Sequence, residues 1–241
     1  MTVDQLFDRL FPDGHEIAVE GDLLRGTAAV DGTTVTVVGT FDDAAIGVEL
    51  ALAMATEVLK TVGEHPGRAI VLLIDTQGQR LRHRDELLGI NVYMAHLAQC
   101  LEVARRAGHR IVSLVYGRAV SGGYITGGMM ADSCHALVSA EISVMNLPAM
   151  ARVTKIPQQR LEELAETSPV FAPGAANYLK MGGLDSLWDD DAADALRRAL
   201  SAELQCDAHG RTDLRRAAGD ARGGRSMALR VSGRVRDDAL D

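Results

Sequence analysis

Aromatic side chains are scarce: Phe, Trp and Tyr make up 4% of the 241 residues. A core must be built mainly from Ala, Val, Leu, Ile and Met, which an apolar content of 47% allows. Cysteine is scarcer still. Cys100, Cys134 and Cys206 are scattered, odd in number and without metal-ligand spacing, so neither a disulfide framework nor a metal site is expected. They read as small apolar fillers in a reducing compartment. No apolar run approaches the roughly 20 residues of a membrane span. The N-terminus lacks a basic start followed by an apolar stretch and carries Asp4, Asp8 and Asp13, unlike a signal peptide. A cytoplasmic location is expected, with no membrane partner. Positive charge is also lacking: the formal net charge of −8 argues against nucleic acid as the main partner. Residues 207–241 are the exception, with eight Arg and six acidic residues, net +2, which leaves −10 for the rest.

The length suits one large α/β domain. Residues 1–20 read as a short helix and a lead-in. Thr27–Val30 and Thr33–Val38 are β-branched runs around Asp31-Gly32, a two-residue hairpin turn. A helical pattern runs from Gly47 to Val62 and stops at Pro66-Gly67. Ala69–Ile74 and Ile111–Val115 are continuous apolar runs that suit strands buried on both faces. Residues 84–107 predict one long helix, and Ser121-Gly122-Gly123 opens another through Ala131. Cys134–Val138 and Ile142–Met145 predict short strands, and residues 157–180 a helix broken at Pro169 and Pro173. Alternating strands and helices imply parallel pairing. From about Asp207 the periodicity fades. The division is therefore a domain of residues 1–206 and a tail of residues 207–241, loosely folded or ordered only against a partner.

Two segments follow the buried strands and are rich in glycine, Asp75-Thr76-Gln77-Gly78-Gln79-Arg80 and Gly117-Arg118-Ala119-Val120-Ser121-Gly122-Gly123-Tyr124. Ligands bind beyond the carboxyl ends of parallel strands. Glycine lets backbone approach a ligand, and the first N–H groups of a helix lack internal partners. Two such segments side by side could aim two N–H groups at one oxygen, as an oxyanion hole does.

These residues carry a resemblance. Asp75-Thr76-Gln77-Gly78 resembles the Asp-Thr-Pro-Gly loop of biotin-dependent acyl-CoA carboxyltransferases, with Gln77 in place of Pro. Gly117 to Tyr124 resembles their Gly-Gly helix entry, and Ala140-Glu141-Ile142-Ser143-Val144-Met145 a strand of the crotonase superfamily. Residues from about 20 to 190 are most similar to the gamma subunits of biotin-independent malonate decarboxylases, in the carboxyltransferase branch of that superfamily. The resemblance implies a crotonase/ClpP-like α/β spiral of ββα units with mostly parallel sheets. It implies a beta carboxyltransferase partner and an acyl carrier protein bearing a malonyl thioester on phosphopantetheine, or CoA in its place. The product would be acetyl thioester and CO2, with neither metal nor biotin expected. Gly78 or Gln79, and Gly122, Gly123 or Tyr124, would supply the oxyanion donors.

Other polar residues carry competing readings. Arg80, Arg82 and His83, with Arg84, could steer an acidic carrier or its phosphate, or form an exposed basic turn. Ser121 could be a nucleophile as in Clp-type peptidases, but Asn146 stands where their His would be and cannot act as a base. Ser121 reads more simply as a helix N-cap beside the substrate, and Asn146 as a pocket-lining or turn residue. Glu141 and Glu162 are the nearest acids by order in the chain, and His96 reads as a core residue. Two competing functions remain: a carboxyltransferase subunit that passes the carboxyl group to biotin, and a non-catalytic crotonase-like scaffold.

Overall fold

The computed structural model describes residues 2–167, 172–204, 206–207, 210–224 and 226–239. Helix α1 (Val3–Leu10) opens with a capping box: Thr2 Oγ1 accepts the Gln5 N–H, and the Gln5 side chain accepts the Thr2 N–H. Strands β1 (His15–Glu20), β2 (Leu23–Val30) and β3 (Thr33–Thr40) form an antiparallel meander. Val30 pairs with Thr33 across Asp31-Gly32, whose φ values of 49° and 71° are those of the type I′ turn that Asp-Gly predicts.

The chain then alternates: β4 (Ala44–Ile46), α2 (Val48–Glu64), β5 (Ile70–Gln79), α3 (His83–Leu87), α4 (Ile90–Arg106), β6 (Ile111–Val120) and α5 (Ser121–Thr126). A 3-10 turn (Gly128–Met130) leads to β7 (Ser133–Leu137), β8 (Glu141–Ser143), α6 (Leu147–Thr154), α7 (Gln158–Thr167), α8 (Ala175–Met181), β9 (Ser186–Trp188) and α9 (Ala192–Ser201). The short pair β10 (Cys206–Asp207) and β11 (Gly210–Arg211) precedes α10 (Arg215–Ala221) and α11 (Ser226–Asp238).

Among the described residues, the main sheet runs β1-β2-β3-β5-β6-β7-β9, parallel from β3 onward. Its central strands are buried on both faces, as their unbroken apolar runs require. Strands β5 and β6 each serve two layers. Ile70–Leu73 pairs with β3, whereas Thr76, Gly78 and Gln79 pair with β4. Val112–Val115 pairs with β7, whereas Arg118–Val120 pairs with β8. Both strands therefore turn from one sheet layer into another, at Asp75 and at Tyr116-Gly117. This is the spiral of ββα units that the resemblance implied.

Several boundaries differ from the sequence-based expectation. The segments after Ile74 and Val115 are strand continuations rather than loops, because β4 and β8 supply new hydrogen-bonding edges. The helix expected over residues 84–107 is two helices, split by Gly89 at φ 78°. The stretch from Ser121 to Ala131 is α5 plus a 3-10 turn. Strands β1 and β9 and helices α6 and α9 were not expected. Pro169 lies outside the described residues, as does the side chain of Cys206. Cys100 and Cys134 are buried and free.

The C-terminal segment is not loose throughout. Arg222 Nη1 donates to Leu179 O and Leu184 O, each at 2.7 Å, satisfying carbonyls at the end of α8. Arg215 donates to Met129 O at 3.1 Å, and Arg211 pairs with the buried Asp132. A Cβ on Gly224 would lie 2.8 Å from Met181 N, so glycine permits this close seat. Residues 211–224 are thus ordered against the body of the chain itself. Helix α11 leaves Met227, Val231 and Val235 exposed. No described helix is long and apolar enough to cross a membrane.

Candidate active site

The bend in β5 is pinned by one carboxylate. Asp75 Oδ2 accepts the Asp43 N–H at 3.0 Å and Oδ1 accepts the Arg118 N–H at 2.8 Å. Its own N–H donates to Thr40 Oγ1 at 3.0 Å. Gly117 faces this carboxylate so closely that a Cβ would overlap it. One residue thereby ties the entrance of β4 to the bend of β6. The Tyr116 hydroxyl donates to Thr40 O at 2.8 Å, and burial, with Asp75 and Asp42 nearby, holds that phenol protonated.

One residue further on, the buried Thr76 hydroxyl donates to Ala44 O at 2.6 Å and accepts the Gly78 N–H at 3.0 Å. Gly78 adopts φ 98°, a conformation open to glycine. Across from it, Ser121 stands at φ 52° where β6 becomes α5. A non-glycine residue in this region stores strain, which tends to concentrate at functional sites. A Cβ on Gly123 would lie 2.8 Å from Gly78 Cα. The two glycine segments therefore meet backbone to backbone, and a side chain on Gly123 would force them apart.

The N–H groups of this seam have different fates. Gly78, expected as a donor, is occupied by Thr76. Arg80 N–H donates to Ile46 O at 2.8 Å. The N–H groups of Gly122 and Gly123 belong to the first turn of α5, where a helix supplies no internal acceptor, and no side chain caps α5. Ser121, expected as N-cap, makes no side-chain cap bond to α5; it is the left-handed residue through which β6 enters the helix. The Gln79 carboxamide closes the seam: a Cβ on Gly122 would lie 3.2 Å from its Oε1, which is buried without a partner.

The remaining candidates scatter. The Tyr124 ring is buried and packs edge-on against Tyr178 with centroids 6.4 Å apart. Burial raises its pKa well above the ordinary phenol value, so its hydroxyl is a core group rather than a proton donor to this seam. Arg80 reaches back to Asp22 at 3.2 Å, and Arg84 pairs with Glu49. These two cations are spent on local carboxylates, while Arg82 and His83 are exposed at the start of α3. Beside the seam a cavity of about 510 Å³ is lined by Asp22, Asp42, Asp43, Gln77, Gln79 and Arg80. Asn146 caps α6, accepting the Ala149 N–H at 2.8 Å, so its side chain is committed to the helix. Glu141 lies 3.7 Å from Arg118, and Glu162 accepts from Gln158 at 2.8 Å; neither enters the seam. His96 is half-buried against Cys100. Sequence reasoning missed Asp75 and Thr76 as organisers. Their signal was a carboxylate and a hydroxyl placed where a buried strand has to bend.

Residues 42–239 match the family model for the malonate decarboxylase gamma subunit, MdcE. The chain belongs to this family. It is 37% identical over 164 residues to the malonyl-S-ACP:biotin-protein carboxyltransferase MADD of Malonomonas rubra, covering 64% of this chain and 56% of that protein. The chain thus spans little more than half the length of this curated relative. Its fold resembles a chain of the Pseudomonas malonate decarboxylase hetero-tetramer in complex with coenzyme A, with TM-score 0.75 and 23% identity over 97% of both chains. It also resembles transcarboxylase 12S with hydrolysed methylmalonyl-coenzyme A bound, with TM-score 0.70 and 20% identity over 86% of this chain and 44% of that one. At these identities the structural matches establish that the fold is shared. Both segments of the seam lie inside the span matched by the malonate decarboxylase gamma family.

Proposed function

We propose that this chain supplies one half of a malonyl-thioester decarboxylase site, completed by a beta carboxyltransferase subunit. The observation that carries the reading is the seam where Gly78 meets Gly123 backbone to backbone, beside the uncapped first turn of α5. Loss of CO2 from a malonyl thioester leaves an electron pair that spreads onto the thioester oxygen as an enolate. Such a reaction needs preorganised donors at that oxygen and no protein nucleophile. Protonation of the carbanion carbon falls to water or to a group of the partner, since the Tyr124 hydroxyl is buried elsewhere.

The thioester is carried on phosphopantetheine of an acyl carrier protein, or on CoA, and exposed Arg82 and His83 flank its approach. Leu81, Leu87, Leu88 and Val92 are exposed directly after the first segment of the seam, an apolar face suited to the beta subunit. The complex is placed in the cytoplasm, in keeping with the free thiols of Cys100 and Cys134. A second reading, in which the carboxyl group passes to biotin, is favoured by the similarity to the Malonomonas rubra biotin-protein carboxyltransferase.

The test combines this chain with a beta partner and malonyl-charged carrier protein, and follows CO2 with and without a biotinylated carrier. Release without biotin, falling roughly 100–1000-fold in Gly123→Val while the complex still assembles, is the expected result. Release that requires the biotinylated carrier selects the second reading. No release from an intact complex leaves the scaffold function.

A further inference from the structure

We propose that the N-terminal ends of β6 and β7 carry a second ligand site, a pocket for a small oxyanion built by Arg110, Ser133 and His135. It lies at the opposite end of the strands from the Gly78–Gly123 seam and uses none of its residues, so it stands independently of the decarboxylase reading. These three residues line a cavity of about 250 Å³, closed on its far side by Arg211 and by the end of α9. Ser133 and His135 are two apart on β7 and therefore share one face of the strand. Arg110 immediately precedes β6, the neighbour of β7.

The pocket holds donors in excess. Arg110 Nη2 donates to Ala199 O at 2.7 Å, but Nε and Nη1 are buried without a partner. Ser133 Oγ and His135 Nε2 are also unpartnered, in residues only 9% and 5% exposed. The other side of the His135 ring meets the Ser186 hydroxyl. Ser186 Oγ accepts from Trp188 Nε1 at 2.9 Å and lies 2.8 Å from His135 Nδ1. When the Ser186 hydroxyl donates to Nδ1, the ring's own proton sits on Nε2, buried without a partner in a residue that lines the cavity. Trp188 stacks on the ring with centroids 4.6 Å apart and holds this orientation.

The nearby carboxylates are already engaged. Asp132 accepts from Ile111 N at 2.7 Å, from Arg105 Nε at 2.9 Å and from Arg211. Asp185 accepts the Cys134 N–H at 2.7 Å. Among the described residues, Arg110 has no carboxylate within ion-pair distance, and Glu203 is exposed at the rim. Burial, together with the charge of Arg110, lowers the His135 pKa to about 3, so the ring is held neutral. Buried guanidinium, imidazole and hydroxyl donors without acceptors call for an oxygen-rich anion. The volume suits a phosphate or a short carboxylate, and the two share the chemistry of this pocket.

Thermal melting of the full chain in inorganic phosphate, acetate or malonate, with ionic strength held constant by sodium chloride, tests the assignment. The expected result is a saturable rise in Tm with phosphate or with a carboxylate, the responding arm naming the class. The half-saturating concentration should rise at least ~10-fold in both Arg110→Gln and Ser133→Ala, the second being the gentler change should the first fail to fold. An equal rise in wild type and Ser133→Ala, or no rise above the chloride control, overturns the proposal. So does a crystal structure of the chain grown in the responding anion that shows only water between Arg110 and His135.

Discussion

At the residue scale, the seam depends on atoms that a sequence motif does not rank. Thr76 serves Ala44 O and the Gly78 N–H at once, from a fully buried position. Thr76→Val keeps the shape but orphans both groups. Urea unfolding should show a loss of about 1–3 kcal/mol, and CO2 release should fall because Gly78 is no longer held. Tyr124 makes the opposite case. Its hydroxyl is buried without a partner, so Tyr124→Phe should leave stability unchanged or raised by about 1 kcal/mol, with full decarboxylase activity. A large loss of activity in that variant would assign the phenol a chemical role that its position does not support. The Gly78–Gly123 approach was legible because paired glycines after successive buried strands have few other purposes. The occupation of the Gly78 N–H was not legible, since it depends on a hydroxyl rotamer two residues away.

At the element scale, the strongest local signals were those with a single physical solution. Asp31-Gly32 between β-branched runs can be satisfied by a type I′ turn, and the structure has one. Ile70–Ile74 and Ile111–Val115 are apolar throughout because both faces are covered. The continuation of each strand into a second layer was hidden, because Asp75 to Gln79 has a loop-like composition and becomes strand only beside β4. Helix α2 shows a similar long-range dependence. Its start, Gly47, has no side chain to cap it, and Asp85 reaches across to accept the Val48 N–H at 3.1 Å. Asp85→Ala should therefore destabilise the chain by about 1–2 kcal/mol in urea unfolding, as loss of a helix cap does. A change within error would mean that the cap is supplied by water.

At the scale of the whole molecule, the C-terminal segment divides at Gly224. Residues 211–224 fasten to α8, to the 3-10 turn and to Asp132, whereas α11 turns mostly exposed side chains outward. Truncation after Gly224 should cost less than about 1 kcal/mol, a Tm shift within roughly 2–4 °C. Truncation after Gly210 removes the Arg211 partner of a buried carboxylate and the Arg222 contacts. It should cost roughly 3–5 kcal/mol. Equal melting of the two truncated chains would show that residues 211–224 contribute nothing to the body.

The sequence by itself determined the class of fold, the hairpin, the buried parallel strands and the two glycine segments. Each of these follows from side-chain periodicity or from the backbone freedom of glycine, properties that act over a few residues. Only the tertiary structure decided that Thr76 occupies the Gly78 N–H, that Arg80 and Arg84 are paired, and that Asn146 caps a helix. Only there do Arg110, Ser133 and His135 converge. Those outcomes turn on partners tens of residues away, and competition for a hydrogen bond is settled by distance in space rather than by order along the chain.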